Sequence, residues 1–245
     1  MTASDKPTTE GTHFADWREQ IKRHDESDAD FLSYFDSADS VDQSFLQGAW
    51  DFSNQVLRPR VAPLLGDPFD ATALEIGFGG GRLLAAASAH FNRVIGVDIH
   101  DSFDRVQQML DERGIANAQL LKGDGKTLPV DMDSVDFVYS FIVLQHLPLI
   151  GILQTYLSEV KRVLKPGKPA CLYFGYLPFN WHMKKYEDLD TRTVQSSREN
   201  TLLLRPKFAK TLLQQAGLAI VETGRSTKKP WRRDFGEQHY AIVTG

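Results

Sequence analysis

Apolar residues follow two regimes along the chain. From Phe14 to Leu65 they cluster at helical spacing: Phe14, Trp17 and Ile21, then Phe31, Leu32, Tyr34 and Phe35, then Phe45, Leu46, Ala49 and Trp50. Acidic and serine-rich pieces such as HDESDAD and DSADSVD separate the clusters. That spacing predicts two or three amphipathic helices. Pro59, Pro63 and Pro68 then break the pattern, because proline lacks the amide hydrogen that a helix needs. Beyond residue 70 the pattern alternates. ATALEIG reads as a strand, GRLLAAASAHF as a helix, RVIGVDI as a strand, SFDRVQQMLDERG as a helix ending on glycine, and AQLLKGD as a strand. VDFVYSFI is a fourth strand, HLPLIGILQTYLSEVKRVL a helix stopped by KPGKP, and ACLYFGY a fifth strand. Strands apolar at consecutive positions, each followed by an amphipathic helix, indicate a parallel sheet covered on both faces. After the helix PKFAKTLLQQAG, the strands LAIVETG and QHYAIVTG have only a loop between them, which favours an antiparallel pair.

The fold class expected is therefore α/β: a doubly wound, mostly parallel seven-strand sheet with helices on both faces, an antiparallel last strand and an N-terminal helical extension. The expected organisation is a tail without regular structure over residues 1–12, a helical extension or lid over 13–69, and one α/β domain over 70–245. No repeat of 20–50 residues is present, which excludes solenoids and propellers.

Composition narrows the class of protein. Of 245 residues, 42% are hydrophobic and 24% charged, ordinary for a soluble globular chain. No stretch approaches the roughly 18 consecutive apolar residues of a membrane span. The polar start MTASDKPTTEGTH lacks a basic-then-apolar secretory pattern, and Cys171 is the single cysteine. Both features point to a reducing, cytoplasmic setting, with Cys171 as a small buried hydrophobe in its strand. The net charge of -4 conceals an asymmetry. Residues 1–50 carry eleven Asp/Glu against four Lys/Arg, and residues 161–245 carry sixteen Lys/Arg against seven Asp/Glu. The cations are scattered rather than interleaved with aromatics, so the pattern disfavours nucleic acid as a partner without removing it.

The stretch 73-ALEIGFGGGRLL-84 carries the candidate chemistry. A dinucleotide site wants G-x-G-x-x-G, but from Gly77 the order is G-F-G-G-G-R, with Arg82 where the third glycine belongs. Charge adds an objection: Glu75 lies at the end of the first strand, Asp98 at the end of the second and Asp124 at the end of the third. The carboxyl ends of neighbouring strands face one crevice, and three carboxylates there would repel a pyrophosphate. They suit a ligand with a cationic head, vicinal hydroxyls and an exocyclic amine. S-adenosylmethionine has all of these. Arg82, at a helix start where the macrodipole disfavours a cation, is expected to pair with Glu75 or with an acid of the N-terminal region.

From about residue 70 to its end the chain resembles the class I, seven-strand, Rossmann-like S-adenosylmethionine-dependent methyltransferases of the small-molecule branch. The resemblance rests on LEIGFGGGR, GVDI, GDG, VDFVYSFIVLQHL and EVKRVLKPGKPACLYF in that order, with PKFAKTLLQQAGLAIVETG and QHYAIVTG closing the chain. It implies that Gly77, Gly79 and Gly81 let the backbone approach the cofactor, that Glu75 helps hold its amino end, and that Asp98 accepts both ribose hydroxyls. It implies too that Ile99 packs on the adenine, that Asp124 and the Gly125 backbone read the adenine edge, and that Phe141 lines the pocket near the methyl group. Phe78 departs from the small residue or cysteine frequent at its position.

Methyl transfer from a sulfonium is an in-line displacement, so the protein must align the acceptor and exclude water. If the acceptor is a hydroxyl, a histidine is the usual proton acceptor at neutral pH. His146, just past the fourth strand, and His182, in GYLPFNWHMKKYE past the fifth, are the candidates. Tyr176, Phe179, Trp181 and Tyr186 are candidates for an acceptor wall, and Trp17, Tyr34 and Trp50 for a lid. No [DNS]PP[YF] follows the fourth strand, no Pro-Cys pair is present, and the histidines lack metal-ligand spacing. What remains is O- or N-methylation of a small molecule. An RNA methyltransferase and a non-catalytic cofactor-binding protein stay open as alternatives.

Overall fold

The chain leaves its first sheet strand, β1 (Thr72–Ile76), runs outward through β2 (Arg93–Asp98) and β3 (Ala118–Lys122), then returns to the other side of β1 with β4 (Phe137–Ser140) and β5 (Pro169–Tyr176). These five strands are parallel in the order β3-β2-β1-β4-β5. The reversal between β1 and β4 opens a crevice above their carboxyl ends, the usual ligand position in such sheets. The architecture is that of a computed structural model that describes residues 9–24, 26–36, 38–177, 191–195, 200–229 and 238–245.

Alternation along each strand divides the core in two. Leu74, Ile76, Ile95, Val97, Val138, Leu172 and Phe174 face α7 (Ile150–Val163) and α8 (Pro206–Gln215). Ala73, Val94, Phe137, Tyr139, Cys171 and Tyr173 face α5 (Arg82–Ser88) and α6 (Phe103–Asp111). Cys171 is fully buried, and burial pushes its thiol up to about 12, consistent with a packing role.

All seven expected strands are present. β8 (Ala219–Arg225) and β9 (Gln238–Thr244) pair antiparallel, and β9 runs antiparallel along β5. Two further strands appear, β6 (Thr191–Gln195) and β7 (Asn200–Leu204), an antiparallel pair. Gly175 pairs with Gln238 of β9 on one side and with Leu203 of β7 on the other. β7 therefore occupies the edge of β5 that β4, ending at Ser140, leaves open.

The N-terminal region forms α1 (Thr9–Lys22), α2 (Asp28–Asp36) and α3 (Val41–Asp51), a π-helical turn over Phe52–Val56, and α4 (Ala62–Leu65). α1 thus begins at Thr9, inside the segment expected to lack structure. Ser40 caps α3, its hydroxyl accepting the Gln43 amide at 3.2 Å. α3 packs on α5 through Gly48, where a Cβ would stand 2.7 Å from the Arg82 carbonyl carbon. Arg82 donates to Asp51 at 2.6 Å and lies 3.6 Å from Asp36, so its partners are acids of the N-terminal region rather than Glu75. Lys229 reaches the same Asp51 oxygen at 2.6 Å. This buried cluster ties α2, α3, α5 and the segment after β8 together.

Candidate active site

A cavity of about 260 Å³ lies at the switch point between β1 and β4. Its floor comes from Ile76, Gly77, Gly79, Val97, Asp98 and Ile99, at the tips of β1 and β2. Ile142, Val143, Gln145, His146 and Leu147, after β4, and Tyr156 of α7 form one wall. Phe14, Trp17 and Ile21 of α1 and Tyr34 and Phe35 of α2 form the other. The spacing of Phe14, Trp17 and Ile21 puts one face of α1 against the cavity.

Asp98 organises the floor. Its Oδ2 accepts the Gly79 amide at 2.8 Å, and its Oδ1 accepts the Ile99 amide at 2.6 Å. His100 adds a second tie that the sequence reading missed. It is fully buried among Phe31, Phe35, Phe78 and Phe103. Its Nδ1 accepts the Ser102 amide at 3.1 Å, which leaves the proton on Nε2 to donate to the Gly79 carbonyl at 3.0 Å. Only its position two residues past Asp98 hints at this in the sequence.

The expected residues divide. Gly77, Gly79, Asp98, Ile99 and His146 come together in the cavity. Gly77 and Gly79 have φ of 75° and 52°, left-handed values that suit glycine. Glu75 lies outside the lining, on the α5 side of the sheet. Its cross-strand neighbour Tyr139 donates to it at 3.1 Å, and burial pushes its carboxyl up to about 8, against that hydrogen bond and the Arg82 charge. Asp124 is turned into its own loop, where it accepts the Lys126 and Thr127 amides at 2.8 and 2.7 Å. Burial opposes its ionisation, but those amides and the Thr127 hydroxyl outweigh it and hold the carboxyl below its ordinary range. The three carboxylates expected to converge therefore do not: among the described residues, Asp98 is the one carboxylate that lines the cavity.

Gly81 opens α5 and faces Val106, and Gly125 sits beneath the Phe14 ring, so both serve close packing. Phe141 is buried against Tyr173, ring centroids 4.9 Å apart, and Ile142 takes the lining position expected of it. Ile142 does so at φ 61°, unusual for a β-branched residue. Trp17 and Tyr34 line the cavity as lid candidates, and Trp50 does not. His182 and the aromatics Phe179, Trp181 and Tyr186 lie outside the described residues. No group of acidic, histidine or cysteine side chains among the described residues could hold a metal ion.

Residues 74–172, which span the glycine turn, Asp98 and the wall after β4, match a family model described as a methyltransferase domain. Over that stretch, less than half of its length, the chain is similar to methyltransferase domains. No curated protein matches its sequence. Among solved structures, the chain is similar to the Burkholderia thailandensis 1,6-didemethyltoxoflavin-N1-methyltransferase, at 16% identity and TM-score 0.66, over 100% of this chain and 96% of that one. It is similar also to S-adenosylmethionine-dependent methyltransferases of Methanosarcina mazei (22% identity, TM-score 0.61, 77% of this chain and 97% of that one) and Aquifex aeolicus (16%, 0.56, 79% and 92%). These likenesses carry the fold.

The cavity fits S-adenosylmethionine. Asp98 is a carboxylate at the cavity floor whose Oδ2 spends one lone pair on Gly79 and keeps another for a hydroxyl. Ile99, Val97 and Tyr156 offer apolar surface to a ring, and burial, with the Asp98 and Asp124 charges, raises the Tyr156 hydroxyl and keeps it neutral. No helix among the described residues is long and apolar enough to cross a membrane.

Proposed function

We propose that this protein is an S-adenosylmethionine-dependent methyltransferase that transfers a methyl group to an oxygen or nitrogen of a small molecule held between the wall after β4 and the α1–α2 lid. The observation that carries this reading is the character of the cavity. It is a partly open space of about 260 Å³, walled by aromatic and aliphatic side chains, and no lysine or arginine among the described residues lines it. A polynucleotide needs a cationic track. The Burkholderia enzyme, whose fold extends over the same N-terminal helices, was crystallised with 1,6-didemethyltoxoflavin and S-adenosylhomocysteine bound, a precedent for a small acceptor in this architecture.

In this reading Asp98 accepts the ribose hydroxyls, Gly77 and Gly79 admit the backbone to the cofactor, and Ile99 packs on the adenine. Asp124 stiffens the loop that presents Gly125. Glu75 supports the glycine turn from below as a neutral carboxyl. S-adenosylmethionine supplies a methyl group on a sulfonium, already activated for displacement. What remains for the chain is positioning, which is worth roughly 7–11 kcal/mol in favourable cases. The aromatic wall excludes water, and Gln145 and His146 are the polar groups facing the acceptor beside the Asp98 end. His182 is the second histidine proposed to act on the acceptor.

The test is incubation of the enzyme with labelled methyl donor and either a small-molecule extract or total RNA. Label in a small product is expected. Label in RNA, with retention on RNA at low salt, would replace this reading with the polynucleotide one.

A further inference from the structure

Among the described residues, no side chain of the loop after β3, residues 123–128, lines the cavity. Asp124 is exposed and spends Oδ1 on the Lys126 and Thr127 amides and Oδ2 on the Thr127 hydroxyl. Gly125 lies against the Phe14 ring, and Phe14 itself lines the cavity, so the loop borders the cavity beside that ring. The exocyclic amine of an adenine held at this end therefore needs an acceptor other than Asp124.

Tyr156 comes to the same end from α7. Glu159, one turn further along the helix, accepts the Leu128 amide at 2.9 Å, which sets this face of α7 against the loop after β3. α7 starts at Ile150, just past the lining residue Leu147. Helix side chains lean toward the helix N-terminus, so the Tyr156 ring is carried up into the crevice. It is 6% exposed and lines the cavity with Val97 and Ile99, and its hydroxyl makes no hydrogen bond to a described residue. Burial, with the Asp98 and Asp124 charges, raises that hydroxyl and keeps it protonated. Hydroxyl dipoles orient in the local field: the hydrogen is drawn toward the carboxylates, and the oxygen lone pairs are left for a donor in the cavity.

We propose that Tyr156 is a specificity-determining residue of the cofactor site, its hydroxyl accepting the exocyclic amine of an adenine that lies on Ile99. The inference rests on the reading of the cavity as the S-adenosylmethionine site. It gives to α7 the task that the sequence pattern assigns to Asp124, and it leaves Asp98 to the ribose.

The experiment is calorimetric titration of the full-length protein and of Tyr156→Phe with two ligands. One is S-adenosylhomocysteine, and the other is its deamino counterpart, in which unsubstituted purine replaces adenine. One neutral hydrogen bond corresponds to about fivefold in affinity. The wild type is expected to bind the deamino ligand more weakly by about that factor. Tyr156→Phe is expected to lose the same factor for S-adenosylhomocysteine and none for the deamino ligand. The urea midpoint of the variant should not fall, because the hydroxyl gives up no bond within the described protein. A hydroxyl that only supported the fold would lower the midpoint and weaken both ligands alike. Equal loss with both ligands, no loss with S-adenosylhomocysteine, or equal affinity of the wild type for the two overturns the proposal, and the last comparison needs no variant. Failure of the wild type to bind S-adenosylhomocysteine overturns the reading of the cavity and the inference with it, whereas binding without these differences removes the role of Tyr156 alone.

Discussion

Asp98 accepts the Gly79 amide at 2.8 Å, which makes the tip of β2 and the glycine turn after β1 a single unit. Asp98→Ala removes both the acceptor proposed for the ribose hydroxyls and the partner of a loop amide. Hydrogen bonds to a charged group are worth about 1.5–3 kcal/mol each. We expect S-adenosylhomocysteine affinity to fall on the order of 100-fold in calorimetric titration, with the protein still folded by circular dichroism. Unchanged affinity would take the ribose away from Asp98.

Gly48→Ala is expected to destabilise the protein although it sits inside a helix. Alanine in place of a helical glycine ordinarily gains about 1 kcal/mol. Here the added methyl would meet the Arg82 backbone, with the carbonyl carbon 2.7 Å away, and backbone cannot swing aside. Overpacking of this kind costs about 1–3 kcal/mol, so the clash wins. A lower urea midpoint is the expected outcome, and a higher one would mean that α3 and α5 separate easily.

Arg82→Met tests the buried charges beneath the lid. Asp51 is fully buried and shared by Arg82 and Lys229. Removing one cation leaves it under-compensated, a change that costs about 3–5 kcal/mol in buried pairs. Equilibrium urea unfolding measures this directly, and a loss below about 1 kcal/mol would assign the cluster the weight of surface pairs.

The seven strands and their helices were legible because continuous apolar runs between glycine and proline breaks leave few alternatives. TRTVQ and NTLLL did not read as strands, since they are short and TRTVQ mixes polar with apolar residues. They pair because β5 outruns β4 and leaves an edge to fill. The site was legible where backbone conformation dictates the residue, at Gly77 and Gly79, and at Asp98 on its strand end. It was not legible where a single step along the chain changes the face. Ile76 lines the cavity while Glu75 faces away, and Ile142 does so in place of Phe141. Nor does sequence separation reveal that the glycine turn and Gly125 are packed by Phe35, Leu32 and Phe14 from the lid.

Glu75 should make stability depend on pH in a defined window. Burial raises its carboxyl from 4.5 to about 8, so between those values the folded state keeps a proton that the unfolded chain has released. Its contribution is complete below about 4.5 and is lost as pH rises to about 8. The slope for one such group is about 1.4 kcal/mol per pH unit where the difference is full. His239 acts with the opposite sign: burial, with the Arg225 charge, lowers it from 6.5 to about 4, so its contribution is present above 6.5 and is lost on acidification. From pH 7 to 8 the Glu75 effect therefore stands clear of the histidine. Urea unfolding should show wild-type stability falling over that interval and Glu75→Gln flattening it. An equal slope in both proteins would place the Glu75 carboxyl near its ordinary value.

Trp17 of α1 bears on His146 with ring centroids 5.1 Å apart and lies edge-on to Tyr34 at 5.9 Å, walling the cavity on the lid side. A ligand leaving on that side would pass this ring. Trp17→Ala removes that obstruction and roughly 60 Å² of apolar contact with a bound ligand, about 1.5 kcal/mol at 25 cal/mol per Å², or about tenfold in affinity. Because Trp17 is half-buried on an outer helix, the unfolding midpoint should move much less than it would for a residue of the sheet core. Stopped-flow displacement of S-adenosylhomocysteine should show the loss as faster dissociation with little change in association, since interface mutations act mainly on the off-rate. Dissociation at the wild-type rate would mean that α1 only covers the domain and plays no part in retaining what the cavity holds.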